Sequence, residues 1–171
     1  KGVVEMERSN IAERSSKLFP FSGIYSASKN LIDLEKNKKI DQHVNLVSLF
    51  WDTVGDNMDQ WRGVRIGNLS ATEVRRDYIH THVIILQALG IAGKDLMSQF
   101  PNNWKTKIKN LKKINWLKNN PEWHQRVIVN GRVVKNSNSI ILAANLIKKA
   151  LGAKLSVKEK ALESKMKKNV K

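Results

Sequence analysis

Three aspartates, Asp52, Asp56 and Asp59, recur at i, i+4 and i+7, the spacing that aligns carboxylates along one helix face. Carboxylates in such a row could hold a divalent cation and support phosphodiester hydrolysis. The same row reads more simply as a solvated face, or as partners for Arg62 and Arg65. The histidines offer less. His80 and His82 stand two apart, about 200° around a helix axis, and cannot chelate one ion. His82 fits a hydrogen-bonded histidine at the core edge. The chain has no cysteine, which removes disulfides, thiolate metal sites and thiol nucleophiles. It also has no HExxH, no GxSxG elbow and no glycine-rich phosphate loop. These patterns point away from an enzyme and imply no cofactor and no metal. A metal-dependent nuclease built on the three aspartates is the one catalytic reading left.

The cationic residues carry a stronger signal. The formal net charge is +16. Residues 1–93 hold 12 Lys and Arg against 11 acids, whereas residues 94–171 hold 19 against four. Positive charge concentrated in this way draws polyanions by counterion release, and phosphate contact needs Lys and Arg spaced along one surface. The candidate DNA-contacting residues fall in three groups. Lys105, Lys109, Lys112 and Lys113 lie on a short amphipathic helix, with Lys107 widening the stripe. Arg126, Arg132 and Lys135 flank a hairpin turn. Lys148 and Lys149 end the following helix. Each one alone could be a solvated surface residue, and the cluster is stronger than its members. The five tryptophans could stack on unpaired bases. Spacing places Trp51, Trp104 and Trp116 in the core and leaves Trp61 and Trp123 beside loops.

The elements that must position these residues are mostly helical. Apolar periodicity predicts helices over roughly 21–35, 41–60, 71–89, 91–99, 102–114, 138–151 and 157–168. The capping boxes Ser70-Ala71-Thr72-Glu73 and Ser156-Val157-Lys158-Glu159 start two of them. Gly90 reads as the stop of the central helix 71–89, and Gly152 as the stop of helix 138–151. Asn130-Gly131 between β-branched runs predicts a two-residue hairpin turn. The expected fold is therefore mainly α, with six or seven helices and one small β-hairpin. Residues 1–155 form a helical domain with the hairpin near 126–135, and residues 156–171 a basic C-terminal helix or tail. Helices 138–151 and 157–168 could form a helix-turn-helix-like pair. No apolar run reaches 18 residues, so no membrane partner is expected and the cytoplasm is the default location.

Several stretches together resemble the DndB family of DNA sulfur modification proteins. They are Glu5 to Phe19 followed by Ser22-Gly23-Ile24-Tyr25, and Arg76 to His82 continuing through Ala88-Leu89-Gly90. Further on come Trp104, Leu111 to Trp116, Asn120-Pro121-Glu122-Trp123, Gly131-Arg132, Asn145 to Lys148 and Leu151-Gly152. Members carry an upstream DGQHR motif, which this chain lacks. The resemblance, with Lys1 rather than Met at the start, implies the C-terminal portion. It also implies a DNA-binding transcriptional regulator or accessory protein of a bacterial phosphorothioation system. Its partners would be double-stranded DNA and other DNA sulfur modification proteins. Oligomeric state is not specified. The alternative is a protein-interaction subunit that docks modification or restriction enzymes.

Overall fold

One long apolar helix in the middle of the chain, Val83–Gln99, organises the fold. The computed structural model describes residues 2–32 and 40–168. Among them, β1 (Val4–Glu5) pairs in parallel with β2 (Phe19–Pro20), and α1 (Phe21–Leu31) follows at once. Next come α2 (Ile40–Asp56), α3 (Asp59–Arg65), α4 (Ala71–Asp77) and the central helix itself, α5 (Val83–Gln99). The second half holds α6 (Trp104–Ile108), the hairpin strands β3 (Ile128–Val129) and β4 (Arg132–Val133), α7 (Ser137–Leu151) and α8 (Val157–Lys168). The protein is mainly α, with eight α-helices and two small two-stranded sheets among the described residues. The predicted end of α1 at 33–35 and the polar break at 36–39 lie outside them, as do residues 169–171.

Helix α5 is buried nearly all round because α1 packs along one side and α7 along another. That double contact explains its apolar composition. Two expectations fail here. The predicted helix 71–89 is two helices, because residues 78–82 break the path: Tyr78 bridges Leu117 and Ile79–Thr81 form a 3-10 turn. Gly90 does not stop a helix but sits inside α5. A β-carbon there would lie 2.2 Å from the Ala27 carbonyl oxygen of α1. Gly90 is thus a contact glycine that lets two helix backbones meet, which single-chain periodicity cannot distinguish from a cap. The other local signals hold. Ser70 Oγ caps α4 by accepting from Glu73 N–H. Asn130 and Gly131 carry the positive φ values, 50° and 71°, that a tight right-twisted hairpin requires.

Arg75 on α4 ties down the N-terminal segment. Its guanidinium donates to the carbonyl oxygens of Ala12, Glu13, Ser15 and Lys17. The tryptophans are also structural. Trp61, Trp104, Trp116 and Trp123 are buried, and half-buried Trp51 donates its indole N–H to Ser28 Oγ at 2.9 Å. Trp116 and Trp123 stack at 5.4 Å. The four buried ones present no platform for bases.

His80, not His82, is the core histidine. Its side chain is wholly buried, stacks on Tyr78 and meets Trp61 and Trp116 edge-on. Trp61 Nε1–H donates to His80 Nδ1 at 3.0 Å. An indole N–H can only donate, so the imidazole is neutral with its proton on Nε2, which is buried without a partner among the described residues. Burial, with a smaller contribution from His82, pushes the His80 pKa down to about 3. Burial and then Lys118 push His82 down to about 4.

This packing sets how the protein should respond to substitution and to acid. Gly90→Ala should lower stability by roughly 2 kcal/mol or more, since backbone must move apart. Gly55→Ala, where a β-carbon meets nothing within 4 Å, should leave it unchanged or higher. Urea unfolding of the two variants checks this. Both depressed histidine pKa values mean that the unfolded chain binds more protons than the folded one below about 6.5. Stability should therefore fall as pH drops from 7 to 4, and His80→Gln should flatten that fall, read as urea midpoints across the range.

Candidate nucleic-acid interface

The C-terminal half is built around a cluster of cations turned inward. Helix α7 starts at Asn136, whose side chain accepts from Ser139 N–H at 2.9 Å, and ends at Gly152. Helix α8 starts on a complete capping box. Ser156 Oγ accepts from Glu159 N–H at 3.3 Å, and Glu159 Oε2 accepts from Ser156 N–H at 2.8 Å. The face that α8 turns to the protein repeats at i, i+3, i+4 and i+7: Glu159, Leu162, Glu163 and Met166, which are buried or half-buried. Half of this stripe is carboxylate.

Those carboxylates meet basic residues of α7 and the hairpin base. Glu163 receives a two-pronged contact from Arg126, one prong at 2.9 Å, and a third hydrogen bond from Lys149. Arg126 also donates to the Leu142 carbonyl at 3.2 Å. Lys148, with a side chain 0% exposed, pairs with Asp95 of α5 and Glu159 of α8. Burial alone would raise the Glu163 carboxyl pKa. The hydrogen bonds from Arg126 and Lys149 outweigh it and hold the group down at about 2. Glu159 is held below its ordinary value by Lys148 and Ser156 against the same opposing burial.

This arrangement removes two residues from the sequence-predicted DNA contacts. Lys148 and Arg126 face the interior, where their charge is already matched. Lys149 is half-exposed but bound to Glu163. The other candidates are on the surface. Lys105, Lys109, Lys112, Lys113, Arg132 and Lys135 are exposed or half-exposed. Their expected single stripe is bent, however. The α-helix ends at Ile108 and tightens into a 3-10 turn over Lys109–Lys113, which brings Lys109 and Lys112 into line. Lys112 also reaches Asp59 Oδ1 at 3.6 Å.

The aspartate row does not converge. Asp52 and Asp56 belong to α2, but the chain turns at Asn57-Met58 and Asp59 starts α3. Asp56 pairs with Arg65 at 3.3 Å and Asp59 with Lys112. Among the described residues no group of three His, Asp or Glu is placed to hold a metal ion. No described helix is long and apolar enough to cross a membrane.

Helix α8, basic by sequence but left out of the expected DNA contacts, adds a cationic surface. Its two glutamates turn inward, so its outer faces present Lys158, Lys160, Lys165, Lys167 and Lys168, which are exposed or half-exposed. Of the four acids in residues 94–171, three are inside the cluster and only Glu122 lies outside it. A corner of α5, α6 and the α7–α8 turn extends this surface. Gln99 bonds both the N–H and the carbonyl of Lys154, and Lys107 Nζ lies 3.5 Å from where a Gly152 β-carbon would be. The signal was present in the sequence: Glu159 and Glu163 are four apart, so they share one face and leave the rest to lysine.

The model for the DndB family, described as DNA-sulfur modification-associated, matches residues 1–154. The chain belongs to the DndB family. The match spans every element through α7, so membership associates this DndB-family chain with DNA sulfur modification. Helix α8 lies beyond the matched residues and is joined to them by the buried ion pairs just described. No curated protein and no solved structure matches the chain.

Glu163→Gln should destabilise this DndB-family chain by roughly 3 kcal/mol, because it strands Arg126 without its carboxylate. The depressed Glu163 pKa fixes the sign of the acid response. Its contribution is complete above about 4.5 and is lost as pH falls toward about 2. Urea unfolding of the wild-type and variant proteins should converge in that window.

Proposed function

We propose that the chain binds double-stranded DNA through the outer cationic surface of α8, α6 and the adjoining turns. In this role it acts as a regulator or accessory protein of a DNA sulfur modification system. One observation carries the reading: three of the four acids in residues 94–171 are held in the inward cluster, whereas the lysines of α8 and those singled out at 105–113 lie on the surface. A merely solubilising surface would intersperse both signs, whereas this segregation presents nearly uncompensated positive charge to solvent. The family supports a DNA-linked process. Nothing in the arrangement reads base edges, so the affinity rests on phosphate contacts and is salt-sensitive.

Mobility shifts on duplex DNA over a salt series test this. Binding should weaken linearly in log Kd against log salt. Replacing Lys158, Lys160 and Lys165 together with Gln should reduce the slope by about 0.9 for each phosphate that is no longer neutralised. Lys148→Gln tests the inward assignment: it should reduce stability without changing the slope of whatever remains folded. A flat salt dependence of the wild-type protein would overturn the reading.

A further inference from the structure

We propose that the cleft between α1 and α2 is a self-association face, filled in the working protein by a second copy of this chain. The cleft has an open volume of about 510 Å³ and is lined from α1 and its C-cap by Phe21, Ile24, Tyr25, Ser28 and Ile32. From α2 come Ile40, His43, Val44, Val47 and Ser48. Among the described residues no Lys, Arg, Asp or Glu lines it. Each set repeats at i, i+3, i+4 and i+7, the spacing of a helix surface made to pack on another helix. Yet the first ten residues of α2 contain no buried side chain, the buried ones being Phe50 and Val54. Among the described residues, the outer face of these two and a half turns has no partner, and a helix of that length is marginal on its own in water.

The occupant follows from shape and charge. The chain supplies both halves of a contact: a trough, and a ridge of Ile40 and Val44, which are 79% and 59% exposed one turn apart. A two-fold contact can lay the ridge of each copy in the trough of the other. The exposed parts of Phe21, Tyr25, Ile40 and Val44 together amount to on the order of 400 Å², since one aromatic side chain alone carries 150–250 Å². A patch of that size marks an interaction surface and supplies about half of the ~800 Å² per partner of a standard stable contact. Electrostatics selects the same face. Two molecules of net charge +16 repel, but residues 1–93 are close to neutral, so copies can meet there while their basic halves stay apart. Among the described residues that line the cleft, a nucleic-acid occupant finds no cation.

Sedimentation equilibrium of the purified protein without DNA tests the proposal. The wild-type protein should sediment at twice the mass of one chain at micromolar concentration. Val44→Asp should weaken association at least tenfold. Ile40→Glu lies at the first turn and is largely exposed, so it cannot disturb the core, and it should act in the same direction with unchanged helical circular dichroism. A wild-type protein that is monomeric throughout would overturn the proposal. So would a dimer that both substitutions leave intact, or one that appears only with a different protein bound in the cleft. Oligomeric state read without DNA is independent of the DNA-binding result.

Discussion

A buried ammonium needs a carboxylate, and that requirement arranges the C-terminal half of this protein. Lys148 has no exposed side-chain surface. Taking such a group out of water costs several kcal/mol unless opposite charge meets it. Asp95 reaches it from α5 and Glu159 from α8, while Arg126 at the hairpin base and Lys149 share Glu163. Four elements therefore close on one another through charge as well as apolar contact. The outward consequence is as large as the inward one. By drawing acids inside, the cluster sorts the two signs, and the net excess of positive charge appears at the surface instead of being spread through ion pairs.

The helical architecture was legible because its signals are local. The capping boxes at Ser70 and Ser156, the Asn130-Gly131 turn and the periodicity of α7 all depend on neighbours within one or two turns. What was not legible depends on partners distant in the chain. Gly90 has the residue type of a helix stop, and only the approach of Ala27 shows that it serves a crossing instead. The break at Tyr78 arises from pairing with Leu117, nearly forty residues later. A sequence window sees neither.

The candidate site divides in the same way. That the second half is cationic follows from counting, and most of the lysines singled out there are indeed exposed. Which cations point inward does not follow, because Lys148 and Lys149 are adjacent and identical in type. Their fates differ by the 100° that separates neighbours on a helix. Helix α8 is thinly apolar in sequence because half of its protein-facing stripe is glutamate. Read as hydrophobicity the stripe is weak, and read as charge complementary to α7 it is strong. Asp52, Asp56 and Asp59 show the converse: a spacing that suggests one face is cut by a turn at Met58.

One carboxylate in this arrangement has two duties. Glu159 closes the capping box that begins α8, and the same group receives Lys148 from α7. Nucleation and docking of the last helix are therefore a single cooperative event. A free C-terminal peptide would have its cap but no anchor, and its five outward lysines would repel one another along a fraying coil. Against α7 the same segment becomes a rigid rod with its charges at fixed intervals. The order of the terminal helix is in this sense borrowed from the body of the protein, and so is the regular spacing of its charge.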